Sequence, residues 1–123
     1  MTKSVLVVDD EPNIVLSLEF LMKQAGLDVR VARDGEEALA AIESRPPDLV
    51  LLDVMIPKRD GYDVCQQIRA NPDWKDIQVI MLTAKGRNVD REKGLALGAD
   101  DYVTKPFSTR ELTQKVKELL EAE

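Results

Sequence analysis

The chain of 123 residues has one cysteine, Cys65, so no internal disulfide can staple it and the fold must rest on its core. It also lacks any stretch long and apolar enough to cross a membrane, and its amino terminus lacks the apolar centre and flanks of a signal peptide. The cytosol is the compartment expected from those absences, with no membrane contact. Positive charge is in deficit: 17 Lys and Arg stand against 23 Asp and Glu, a net charge of −6. Surfaces that bind nucleic acid or anionic lipid need clustered cations to neutralise phosphates, so direct nucleic-acid binding is not expected. Internal repeats, low-complexity tracts and linkers are missing too. What is present, 44% apolar and 33% charged residues over the length of one ordinary domain, predicts a single folded domain spanning 1–123.

Short apolar runs alternate with segments of helical period. Val5 to Val8, Leu49 to Leu52 and Val79 to Leu82 are too short for buried helices and read as central parallel strands covered on both faces. Val29 and Val31 alternate with Arg30, as in a half-exposed edge strand, and Tyr102 with Val103 forms a short fifth strand. Pro12 suits a first helical turn, after which Ile14, Leu18, Leu21, Met22 and Ala25 share one face until Gly26. Asp34 with Glu37, and Ser108 with Glu111, have the spacing of helix amino-terminal caps. Pro46-Pro47 ends the second helix, and the third runs from Asp60-Gly61 to Asn71-Pro72. A fourth helix is expected from about Asn88 to Gly98. In the last, Leu112, Val116, Leu119 and Leu120 form the apolar stripe, with Glu111, Lys115, Lys117 and Glu121 on the wet side. Five βα units with right-handed crossovers make an α/β fold, a doubly wound five-stranded parallel sheet in a three-layer sandwich. Function in such a fold sits at the carboxyl ends of the strands.

Those ends carry acids. Asp9 and Asp10 follow the first strand and Asp53 the third, so neighbouring strands would bring three carboxylates together. Two carboxylates about 5 Å apart repel by roughly 3 kcal/mol at an effective dielectric near 20, and a cation is the usual remedy. Oxygen-only ligands favour magnesium, calcium or manganese. Taken singly, an acid after a strand often only caps the next helix; all three together point to a site. Thr83 adds a hydroxyl at the end of the fourth strand, with the small Ala84 beside it, and Lys105 adds a fixed positive charge after the fifth. An acid pair, an acceptor acid, a hydroxyl and an ammonium are the set that phosphoryl transfer to a carboxylate requires.

Over its whole length the sequence resembles the response-regulator receiver family of two-component signalling. The matching pieces are Asp9-Asp10 after a strand, Leu52-Asp53 with Pro57 and Gly61 behind it, Thr83-Ala84, and Gly98-Ala99-Asp100-Asp101-Tyr102 leading into Lys105-Pro106-Phe107. The pattern is most similar to receivers of winged-helix transcription factors. The resemblance implies a (βα)5 flavodoxin-like fold and a phosphorelay in which Asp53 accepts a phosphoryl group from a histidine kinase or phosphotransfer protein. It implies Mg2+ bound by Asp10, Asp53 and the backbone carbonyl of Met55, with Asp9 acting through water. Lys105 and Thr83 would hold the phosphoryl oxygens, Thr83 and Tyr102 would shift to switch the surface of helix four, strand five and helix five, and the Lys105-Pro106 peptide would be cis. Arg91, Asp101, Glu111 and Lys115 match positions that pair across a dimer in such receivers, although Glu111 and Lys115 are also an ordinary i, i+4 helical pair.

Further expectations concern single residues. Met55 and Lys85 occupy variable positions beside the acceptor; an apolar Met55 offers no hydrogen bond to orient water, which predicts slow self-dephosphorylation. Lys58-Arg59 would balance nearby acids, Cys65 would be core, and Trp74 would lie in the loop before the fourth strand. The chain would catalyse only its own modification. A haloacid-dehalogenase-like hydrolase would need an acid where Met55 stands, and a flavodoxin-like nucleotide binder would need Ser, Thr and Gly where Asp9-Asp10-Glu11 stands. An unphosphorylated receiver serving only as a docking module is the alternative that the sequence leaves open.

Overall fold

The structure is a computed structural model; it describes residues 2–58, 60–84 and 88–121, without the side chains of 84 and 88–91. Its strands are β1 (Ser4–Val8), β2 (Asp28–Ala32), β3 (Leu49–Asp53), β4 (Gln78–Ala84) and β5 (Asp101–Lys105). Its helices are α1 (Pro12–Gln24), α2 (Gly35–Ser44), α3 (Gly61–Ala70), α4 (Asn88–Ala96) and α5 (Thr109–Glu121). A single 3-10 turn, Pro72–Trp74, precedes β4 and leaves Trp74 half-buried. All strand pairs are parallel, in the order β2-β1-β3-β4-β5. The order reverses on either side of β1 and β3, and the crevice beyond their carboxyl ends is where such sheets bind ligands.

The strand side chains divide between two cores. Leu6, Val8, Val50, Leu52, Val79 and Met81 meet Ala38 and Ile42 of α2 and Val64, Cys65 and Ile68 of α3. Val5, Val7, Leu49, Leu51, Ile80 and Leu82, from alternate positions, meet Leu18 and Met22 of α1 and Leu112, Val116 and Leu120 of α5. Burial on both faces explains why β1, β3 and β4 are unbroken apolar runs. Each fully buried Leu or Ile contributes about 1.5–3 kcal/mol.

Helix ends follow their local chemistry. Asp34 caps α2 by accepting from the Glu37 N–H at 2.8 Å, and Asp60 caps α3 by accepting from Asp63 N–H at 2.9 Å. Gly26, at φ +86, follows α1 in the left-handed conformation that ends helices. Three details differ from expectation. Along α1, Val15, Leu18 and Met22 are buried, Ile14 and Leu21 are half-buried against the core shared with α5, and Ala25 is already the carboxyl cap. Leu119 is half-buried, and Lys115 is drawn partly inward by Asp101 at 3.1 Å. Strand β4 runs on through Thr83 and Ala84, which pair with Thr104 and Lys105.

Candidate phosphoacceptor and cation site

Register builds the site. Val8 is paired with Leu52, so the residues that follow, Asp9 and Asp53, leave adjacent strands at the same level. Asp53 is itself the last residue of β3 and pairs with Leu82, which places Thr83 one step further along β4. Lys105 closes β5 opposite Ala84. The Lys105-Pro106 peptide is cis.

Carboxylate oxygens of Asp9, Asp10 and Asp53 all lie within 4.8 Å of one another. Asp9 is fully buried, Asp53 is 7% exposed, and Asp10 faces solvent, so the cluster has one wet side. Lys105 donates to Asp9 Oδ2 at 2.9 Å and its Nζ stands 3.3 Å from Asp53 Oδ2. Asp9 Oδ1 accepts from Glu11 N–H at 3.0 Å, and Asp53 Oδ1 accepts from Met55 N–H at 3.3 Å. Thr83 is buried at 2% exposure.

Among the described residues, the one ammonium paired with the cluster, that of Lys105, does not balance three carboxylates. Burial, followed by the charge of Asp9, raises the Asp53 pKa from its ordinary 3.8 to about 6, against the opposing pull of Lys105 and the Met55 amide. Burial also works against the Lys105 ammonium, but its hydrogen bond to Asp9 and the charge of Asp53 outweigh that, and its pKa lies above the ordinary lysine value. A cluster of oxygen donors, short of positive charge among the described residues and open on the Asp10 side, fits a hard divalent cation such as magnesium.

Tyr102 is half-buried against the α2–α3 core, and the Lys115 ammonium stands 5.4 Å from its ring centroid. Of the residues matched to a dimer face, Asp101 and Lys115 pair with each other at 3.1 Å within the chain, and Glu111 is exposed. The side chain of Arg91 lies outside the described residues, as do Arg59 and Lys85. Lys58 stands 3.6 Å from Asp34, in keeping with its expected part in balancing acids. Cys65 is wholly buried, and burial pushes its thiol pKa up, as for an inert core residue. Met55, two residues after Asp53, is 67% exposed.

Two features support the site from behind, one at a glycine that the sequence marks and one that it does not. Gly61 lies against the backbone of Asp53: a Cβ there would meet the Asp53 carbonyl oxygen at 2.4 Å, so only glycine lets α3 begin so close. Arg69 of α3 donates to Gly98 O, Ile77 O and the Asp100 carboxylate, each at 2.7 Å, clamping the turn after α4. The sequence marks Gly61 behind Asp53, though not the close approach that requires a glycine there. No local pattern marks the second, whose partners come from separate parts of the chain.

The profile of the family described as response regulator receiver domain matches residues 5–117. The chain is 51% identical over 120 residues to the alkaline phosphatase synthesis transcriptional regulatory protein PhoP of Bacillus subtilis, covering 98% of this chain and 49% of that protein. It therefore spans about half the length of that relative. Among solved structures, a response regulator of Chloroflexus aurantiacus superposes with a TM-score of 0.94 at 39% identity, over 98% of both chains. The receiver domain of the Francisella response regulator 1452 superposes with a TM-score of 0.90 at 35% identity, again over 98% of both.

Proposed function

The chain belongs to the response regulator receiver family, and from that premise we propose that it accepts a phosphoryl group on Asp53 from a histidine kinase or phosphotransfer protein. The observation that carries the proposal is the convergence of Asp9, Asp10 and Asp53 within 4.8 Å, with Lys105 bridging two of them.

Asp10, Asp53 and the Met55 backbone carbonyl would hold magnesium, with Asp9 reaching it through water; the ion would supply positive charge beside the transferring group. An Asp53 carboxylate oxygen attacks the phosphorus of the donor. A phosphorus–oxygen bond forms as the phosphorus–nitrogen bond to the donor imidazole breaks, and the nitrogen keeps the electron pair. Asp9 fixes Lys105 at 2.9 Å, so the ammonium that faces Asp53 at rest is already in place to pair with a phosphoryl oxygen. The Thr83 hydroxyl donates to another of those oxygens. Its displacement opens room for Tyr102 to turn inward, and the surface of α4, β5 and α5 changes as a population shifts between two states. A homodimer through that surface is the output in view, with Arg91, Asp101, Glu111 and Lys115 as its charged positions.

The test is to incubate the chain with acetyl phosphate and magnesium, reduce the acyl phosphate with borohydride, and map the modified peptide. Modification at Asp53, lost in Asp53→Asn, is the expected result. An unmodified chain, or modification elsewhere, would leave a docking module as the better account.

A further inference from the structure

The segment after Asp53 is fastened at both ends and along its length. Val54 and Ile56 turn into the core, at 3% and 8% exposure, and leave Met55 outside between them. At its start, Gly61 N–H donates to Val54 O at 2.9 Å. At its far end the β2–α2 turn grips it: Gly35 N–H donates to Pro57 O at 3.2 Å, and Lys58 Nζ stands 3.6 Å from Asp34 Oδ2. Lys58 adopts φ +70, a left-handed backbone that disfavours any residue with a Cβ. Such a conformation persists where the surroundings impose it, and here it accompanies the reach of the lysine toward Asp34.

The gripping turn is itself hydrogen-bonded at several points. Asp34 Oδ1 accepts from Glu37 N–H at 2.8 Å, and Glu37 Oε1 reaches back one residue beyond the cap to accept from Arg33 N–H at 3.2 Å, so two bonds hold the start of α2. Asp9 N–H donates to Ala32 O at 3.1 Å, which ties the base of the same turn to the acid cluster. Asp34 thus has two tasks, divided between its oxygens: Oδ1 caps the helix and Oδ2 faces Lys58.

We infer that Asp34 and Lys58 are positioning residues for the cation site, bracing the strap from Val54 to Lys58 so that Met55 and Asp53 meet a divalent cation already aligned. The inference rests on the magnesium reading above. A strap that had to become ordered on binding would lower affinity by the conformational freedom it lost; a strap ordered beforehand avoids that loss.

The test is a magnesium titration followed by amide chemical shifts in the parent chain, Asp34→Asn, Lys58→Met and the double variant. Asparagine caps a helix as well as aspartate, so Asp34→Asn removes the brace and keeps the cap. A general charge effect would weaken magnesium binding in Asp34→Asn and tighten it in Lys58→Met. The brace predicts weaker binding in both, by about two- to fivefold, as for the loss of a partly exposed ion pair, with the double variant no weaker than the singles. Gly35 amide exchange in the metal-free protein should quicken in each variant while the urea midpoint stays in place. Tighter or unchanged binding in Lys58→Met, with the parent binding normally, would overturn the inference. A parent chain that binds no magnesium would overturn the metal reading itself, and the inference with it.

Discussion

Asp53 sits in the fold at a cost, and the cost is measurable without any phosphoryl donor. Its pKa rises from 3.8 to about 6, chiefly through burial and then through Asp9, so the folded chain holds a proton that the unfolded chain has released. At about 1.4 kcal/mol per pH unit, an ionised Asp53 lowers folding stability by roughly 3 kcal/mol at about pH 8. The sign follows from a raised carboxyl pKa: between about 6 and 3.8 the native state binds more protons, so this contribution improves as pH falls through that window. Asparagine has the shape of the protonated acid and can still accept from the Met55 amide. Asp53→Asn is therefore expected to stabilise the metal-free protein by about 2–3 kcal/mol at about pH 8 and by well under 1 kcal/mol near pH 4. In urea, with a slope of about 1.5 kcal/mol per M, the midpoint should rise by roughly 1.5–2 M in the presence of chelator. Magnesium should narrow the gap by stabilising only the parent. Equal midpoints at about pH 8, or a gain undiminished near pH 4, would refute the electrostatic account of the cluster.

Other outcomes follow from single contacts. Arg69→Met should cost about 2–4 kcal/mol in urea unfolding, because it leaves two carbonyls and the Asp100 carboxylate without their 2.7 Å partner. Gly61→Ala should cost about 1–3 kcal/mol in the same assay and weaken magnesium binding, since its Cβ would displace the Asp53 backbone it meets at 2.4 Å. Sedimentation with beryllofluoride and magnesium should show a dimer where the untreated chain is a monomer; an unchanged monomer would remove the dimer proposal.

Much of the fold was legible because burial writes itself into sequence. Strands β1, β3 and β4 are covered on both faces and so appear as unbroken apolar runs, whereas β2 lies at the sheet edge and shows alternation at Val29, Arg30 and Val31. Pro46, Pro72 and Gly26 marked helix ends through backbone chemistry that needs no tertiary context. The ends of β4 and β5 were hidden, since Thr83, Thr104 and Lys105 are polar and are held as strand by pairing with one another's strands. The burial of Val15 was hidden as well: Ile14 and Val15 are equally apolar, and only tertiary packing decides between them.

The site divides along the same line. Its acids could be placed at strand ends from local pattern, and the pairing of Val8 with Leu52 then brings Asp9 beside Asp53. The Lys105 contact with Asp9 joins residues 96 positions apart, and it is the order of five strands that makes it. The grip of Asp34 and Gly35 on Lys58 and Pro57 had no sequence signature beyond a helix cap.

The most direct test of the central claim is intact mass after incubation with a small phosphoryl donor, with magnesium and with chelator, for the parent chain and Asp53→Asn. Gain of one phosphoryl group by the parent with magnesium alone, and by the variant under neither condition, is the predicted result. No gain by the parent, while magnesium demonstrably binds, would contradict the claim that Asp53 is a phosphoacceptor.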